Sequence, residues 1–87
     1  MITDDIKKFV KDKKAVIGTE QTIKMLKQGR VTEVFLSSNC MKETKETIQR
    51  YASLGGVKVT DLEIPNDELG VICKKPFMIS VLSVSKE

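Results

Sequence analysis

Eighty-seven residues suffice for one small domain (1–87) with one core, an apolar content of 40% excludes a disordered chain, and the longest apolar runs fall far short of a membrane span. There is no histidine, and Cys40 and Cys73 form no CxxC pair, which excludes a disulfide framework, Ser-His and Cys-His catalysis, and any zinc site not improvised from both cysteines plus carboxylates. The net charge is +3, but residues 61–68 hold Asp61, Glu63, Asp67 and Glu68 and no base, so the remainder carries +7: a basic body beside an acidic patch, suited to an oriented encounter with nucleic acid.

Thr3-Asp4-Asp5 supplies an N-cap and first-turn acids, and Ile2, Ile6, Phe9 and Val10 recur at helical spacing, so an amphipathic helix is expected over residues 3–13. Asp4 and Asp5 stand where a secretory leader would be basic, and we expect a soluble, cytoplasmic protein that meets no membrane. Lys7, Lys8, Lys11, Lys13 and Lys14 decorate the helix's other side and its end, either as a solvated face or as an RNA contact.

Ala15-Val16-Ile17 is the apolar, β-branched run of a buried strand. Gly18 permits a sharp turn, and Thr19 suits an N-cap. From Thr19 to Gln28, Thr22, Ile23 and Leu26 share one helical face, Gln21, Lys24 and Gln28 the other, and Gly29 stands at the C′ position. The helix's unbonded N–H groups then point out of one end of a sheet and attract anions, although an ordinary α/β domain contains the same junction. A single glycine without a following Lys-Ser/Thr excludes a P-loop, and the dinucleotide fingerprint is missing too.

Glu33 to Leu36 reads as a second buried strand, ending in the turn residues Ser37-Ser38-Asn39. Met41, Ile48, Tyr51 and Ala52 mark a helix of about 41–54, stopped at Leu54-Gly55-Gly56, and Val57 to Val59 is a third strand. Pro65 to Gly70 reads as a brief helix opened by proline and closed near glycine, and Phe77 to Val84 as the last strand. The order α-β-α-β-α-β-α-β implies a sheet covered on both faces.

Four stretches in one register, VIGTEQTIK at Val16–Lys24, YASL at Tyr51–Leu54, ELG at Glu68–Gly70 and CKKPF at Cys73–Phe77, resemble the kink-turn RNA-binding ribosomal protein superfamily, whose namesake is "L-seven-Ae"; within it the large-subunit "L-thirty-e" branch is most similar. The similarity runs from about residue 6 to residue 84. It implies a three-layer α/β/α sandwich around a four-stranded mixed sheet, no enzyme activity, no cofactor and no metal. The implied partner is structured RNA, a kink-turn internal loop with tandem G·A pairs, ribosomal RNA in the first instance, held by three loops that correspond to Gly18–Lys24, Ser37–Cys40 and Val71–Met78. A monomer is implied outside the ribonucleoprotein.

Residue by residue, the resemblance assigns Gly18 to the close approach of RNA backbone at the helix start, with Thr19 beside it. It assigns Gln21 and Lys24 to the G·A pairs and nearby phosphates, Asn39 to a loop contact, and Phe77 to stacking on a flipped base. Lys74 and Lys75 flank that ring, and cations beside an exposed aromatic make a stacking platform. Each has a plainer reading: Lys24 as a solvated lysine, Asn39 as the N-cap of the third helix, Phe77 as core in a strand that alternates Phe77, Ile79 and Val81. Glu20 departs from the family, which carries asparagine or a base there; a carboxylate cannot donate to phosphate. Longer members continue past the point matching Glu87, so the ribosomal protein and a compact paralogue both stay open. The competing function is a protein-interaction adaptor, because relatives use this sandwich to bind proteins and fold does not decide between them. For an enzyme, Cys40 beside Asn39 is the one imaginable nucleophile, with only a helix N-terminus to activate it.

Overall fold

The computed structural model describes residues 2–86, with side chains described from Asp4 to Lys86. Helices and strands alternate as expected: α1 (Ile2–Lys11), β1 (Ala15–Ile17), α2 (Thr19–Lys27), β2 (Val31–Leu36), α3 (Lys42–Gly55), β3 (Lys58–Asp61), α4 (Asn66–Ile72) and β4 (Val81–Ser85). The strands form one sheet in the order β1-β4-β2-β3. β4 is antiparallel to β1 and to β2, while β2 and β3 are parallel, so the sheet is mixed.

Alternation along the two central strands builds a core on each face. Phe35, Leu82 and Val84 join Ile6 of α1 and Leu69 and Cys73 on the α4 side. Val34, Leu36 and Val81 join Leu26 of α2 and Ile48 and Ala52 of α3. This is the three-layer sandwich, with helices covering both faces of the sheet. On the α2 side buried Thr22 donates to Ser83 Oγ at 3.0 Å, and Ser83 in turn reaches the Val16 carbonyl at 3.4 Å. The pair fixes the start of α2 over β1 and β4.

Several boundaries differ from the sequence reading. α1 begins at Ile2, so Thr3 lies inside it, and the side chains of Ile2 and Thr3 fall outside the described ones. β2 begins two residues early, at Val31, because a bulge at Thr32 inserts a residue opposite β4: Val31 pairs with Ser85 and Glu33 already with Val84. Val31 and Val34 therefore enter the same core although three residues apart, which breaks the period-2 signal. Met41 is no core residue: it is the N-cap of α3 and 68% exposed. Gly70 does not close α4, which continues to Ile72. The largest correction is β4, which starts at Val81 and not at Phe77. Ile79 and Val81 enter opposite cores, so no alternating strand links Phe77 to Val81.

Ser83→Ala strands the Thr22 hydroxyl in the core and should cost about 1–3 kcal/mol, whereas removing both partners in Thr22→Val/Ser83→Ala should recover most of it. Urea denaturation of the two singles and the double measures the coupling.

Candidate nucleic-acid interface

One end of the sheet gathers three connections. The N–H of Gly18 donates to the Val81 carbonyl at 3.1 Å, Ser37 N–H to the Ser80 carbonyl at 3.0 Å, and Ile79 N–H to the Asn66 carbonyl at 3.0 Å. The segment leading into β4 thus clamps the β1–α2 junction, the β2–α3 loop and the start of α4 side by side. An open cleft of about 570 Å³ results, lined by Gly18, Thr19, Lys75, Phe77, Met78 and Ser80 among others.

At the β1–α2 junction Gly18 itself is the N-cap, with φ 111° and ψ 151°, and no side chain caps the helix. Thr19, expected as the cap, is instead the first helical residue, because Gly18 makes the whole turn in a region that only glycine enters freely. A Cβ at Gly18 would meet nothing within 4 Å, so the constraint is torsional. The uncapped turn presents its N–H groups outward at the cleft. Glu20, Gln21 and Lys24 stand exposed on the outer side of α2, while Thr22 and Leu26 face inward.

The α4–β4 connection obeys the opposite constraint. Gly70 has ordinary helical backbone, but a Cβ there would overlap the carbonyl oxygen of Phe77, and Met78 Cα lies 3.5 Å from the same point. The main chain at Phe77 and Met78 therefore rests directly on α4, and its side chains turn outward. Phe77 is 53% exposed, and Met78 and Val71 are exposed beside it. The core reading of Phe77 is thereby corrected: Pro76 and the contact with Gly70 keep it off the sheet.

α4 ends in a Schellman motif, with Lys75 N–H donating to the Gly70 carbonyl and Lys74 N–H to that of Val71, both at 3.0 Å. The left-handed C′ residue is Lys74, φ 58°, where glycine is usual; a side chain there costs roughly 1–2 kcal/mol. Both lysines are exposed.

Asn39 does not cap α3, whose N-cap is Met41. Its Oδ1 accepts from the backbone N–H of Asn66 at 2.8 Å and its Nδ2 donates to Asn66 Oδ1 at 3.1 Å, so it holds the first turn of α4. Asn66 Nδ2 reaches Ser80 Oγ at 3.4 Å, linking Asn39 to the cleft wall. Asn66, Ser80 and Gly70 were absent from the sequence-based set. The contacts of Asn66 and Ser80 span distances no local pattern records, but a glycine inside a helical pattern does signal a close approach. Ser37 lies buried below the loop, its hydroxyl without a partner among the described residues.

The edge is electrically polarised. Lys74 and Lys75 lie at the C-terminal end of α4, Asp67 and Glu68 in its first turn, with Glu63 and Asp61 just before, Asp61 paired to Lys45 at 3.1 Å. Cys40 is half-buried, and burial, with Asp61 adding to it against Lys45, raises its thiol above the ordinary range; burial likewise raises Cys73. A thiol held protonated is a poor nucleophile. Among the described residues no group of three or more His, Cys, Asp or Glu is placed to hold a metal ion, and no helix is long and apolar enough to cross a membrane.

The family model described as "Ribosomal protein L7Ae/L30e/S12e/Gadd45 family" matches residues 1–87. The chain belongs to this family. Among its relatives, "Large ribosomal subunit protein eL30" of Sulfurisphaera tokodaii is 36% identical over 80 residues, covering 92% of this chain and 76% of the relative. The protein of the same name from Methanococcus vannielii is 42% identical over 69 residues, covering 79% and 66%. Among solved structures, the "Giardia lamblia 15.5kD RNA binding protein" superposes with a TM-score of 0.80 at 17% identity, covering 99% of this chain and 72% of that one. A protein of unknown function from Bacillus halodurans C superposes at 0.85 with 23% identity, covering 93% and 80%. Nearly the whole of this chain thus superposes on these folds, with the cleft on its Gly18 edge.

Gly70→Ala should destabilise the fold by about 1–3 kcal/mol, as overpacking does, and shift the amide resonances of Phe77 and Met78 more than those of β1. Lys74→Gly should do the reverse, raising stability by about 1 kcal/mol in urea melts because glycine relieves the left-handed residue.

Proposed function

We propose that this chain is a non-enzymatic RNA-binding protein of the ribosomal type, whose Gly18 edge grips a kink-turn internal loop, ribosomal RNA being the target. One observation carries the reading: the uncapped first turn of α2 at Gly18 and Thr19 lines one cleft with Lys75 and the exposed Phe77 ring. Unbonded helix N–H groups suit phosphates and the edges of bases, an exposed ring suits a base turned out of its stack, and lysines suit the flanking backbone. In this reading Gly18, Thr19, Gln21, Lys24, Lys74, Lys75 and Phe77 meet the RNA, while Asn39 orders the loop beside it. Glu20, exposed on the same turn, opposes phosphate and thereby sets which RNA fits. The protein works in the cytoplasm and is a monomer outside its ribonucleoprotein. The names of the relatives support the RNA partner.

The adaptor reading draws on one specific feature, the apolar patch of Val71, Phe77 and Met78. The two separate experimentally. A kink-turn stem should bind far better than an uninterrupted duplex of equal length, with log affinity falling steeply against log salt. Equal affinity for both RNAs in gel shifts, or no binding to either, overturns the reading. Phe77→Ala should cost roughly 1–3 kcal/mol of kink-turn binding and leave the urea midpoint nearly unchanged, because the ring is already half in water. A large loss of stability with binding intact would remove Phe77 from the interface.

A further inference from the structure

We propose that the opposite end of the sheet is a second contact surface for RNA phosphate backbone, so that one molecule joins two RNA segments. Three segments meet there. Ser85 N–H donates to the Lys14 carbonyl at 2.8 Å and Lys86 N–H to the Arg30 carbonyl at 2.9 Å, which draws the α1–β1 and α2–β2 turns against the end of β4. They bring together Lys13, Lys14, Arg30 and Lys86, all exposed, none in an ion pair among the described residues. Asp12 is the one acid on these turns among the described residues.

The backbone marks the same place. α1 ends as α4 does, with Lys14 N–H donating to Phe9 O at 2.9 Å, Lys13 N–H to Val10 O at 3.1 Å, and Lys13 left-handed at φ 61°. α2 and α3 end in the same motif with Gly29 and Gly56 in that position. Among the described residues a lysine stands in place of the favoured glycine at Lys13 and Lys74, one at each end of the sheet, and each is followed by a second lysine. At the Gly18 end this Lys-Lys pair flanks the proposed RNA cleft; its twin stands on a convergence of cations.

The two ends are separated by β4, five residues or about 17 Å at ~3.4 Å each, beyond the ~8 Å over which salt screens charge. Phosphates held at one end therefore do not satisfy the other, and the second end takes a separate stretch. RNA fits better than a lipid surface: the exposed large apolar residues, Met41, Leu54, Val71, Phe77 and Met78, are on none of these turns, so nothing there enters a bilayer.

The inference rests on the RNA-binding reading, and the test keeps the two apart. Protein saturated with unlabelled kink-turn stem is titrated at low salt with a labelled, uninterrupted RNA duplex. The wild type should form a ternary complex. Lys13→Gly/Lys14→Gln/Arg30→Gln/Lys86→Gln should keep the kink-turn complex, lose duplex capture about tenfold or more, and show a salt slope of capture shallower by roughly 3–4. Lys13→Gly alone should melt no lower than wild type, which controls for folding. Undiminished capture by the fourfold variant, no capture by the wild type, or capture of anionic phospholipid vesicles in place of duplex overturns the proposal. Duplex capture that depends on these four residues, in a protein that ignores the kink-turn stem, would uphold the second surface and overturn the proposed function instead.

Discussion

The edge exists because the last strand in sequence is an inner strand in space. β4 pairs with both β1 and β2, and the hydrogen bonds at and just ahead of its first residue, at Ile79, Ser80 and Val81, reach Asn66, Ser37 and Gly18 in turn. A slip of β4 by one residue would exchange Leu82 and Val84 with Val81 and Ser83 between two cores that differ in shape and polarity. The Thr22–Ser83 hydroxyl pair adds a polar penalty to that slip. Fixing the register for the sake of the cores therefore also fixes where three surface loops stand.

Two glycines at this edge illustrate how one residue type answers unlike demands. Gly18 has room for a side chain but not the torsion angles for one; Gly70 has the torsion angles but not the room. Relief of the first would need a rebuilt turn, and relief of the second would need the Phe77 main chain to lift off α4. Both outcomes move the walls of the same cleft, and Gly70 stays inside α4 even though glycine inside a helix costs about 1 kcal/mol.

What was legible in the sequence follows from what is local. The junction from Ala15 to Gly29 could be read because the apolar period changes from strand to helix across a glycine and a second glycine closes the turn. The order of elements and both covered faces followed from the same logic. The start of β2 could not, because the bulge at Thr32 erases the alternation that marks a strand. Phe77 to Ile79 looks like strand by composition, yet its partners are the backbone of Asn66 and the face of α4. Asn39 was expected as an RNA contact or as the N-cap of the third helix; it is not that cap, and its hold on Asn66 crosses 27 residues and leaves no pattern. Lys74 in a left-handed turn is unreadable in principle, since residue type argues against it.

The electrostatics of the edge reduce largely to one short helix. α4 spans seven residues, about 10 Å at ~1.5 Å each, from the Asn39 contact toward the Gly18 cleft. Its acids, Asp67 and Glu68, occupy the first turn, where backbone N–H groups favour them, and Asp67 Oδ1 accepts from the Glu68 N–H at 2.8 Å. Its lysines lie beyond the last turn, at the negative end of the helix dipole, which favours cations. A helix that charges its own ends to suit its dipole thereby leaves the edge negative on the β3 side and positive on the β1 side. In the proposed function this polarity would favour a polyanion over β1 and β4 and disfavour it over β3. The dipole stabilises each such charge by only about 0.3–1 kcal/mol, less than the roughly 1–2 kcal/mol that the left-handed backbone costs at Lys74. Helix stability alone would therefore place glycine at Lys74; in the proposed RNA-binding reading the charge there serves the phosphates that flank the cleft.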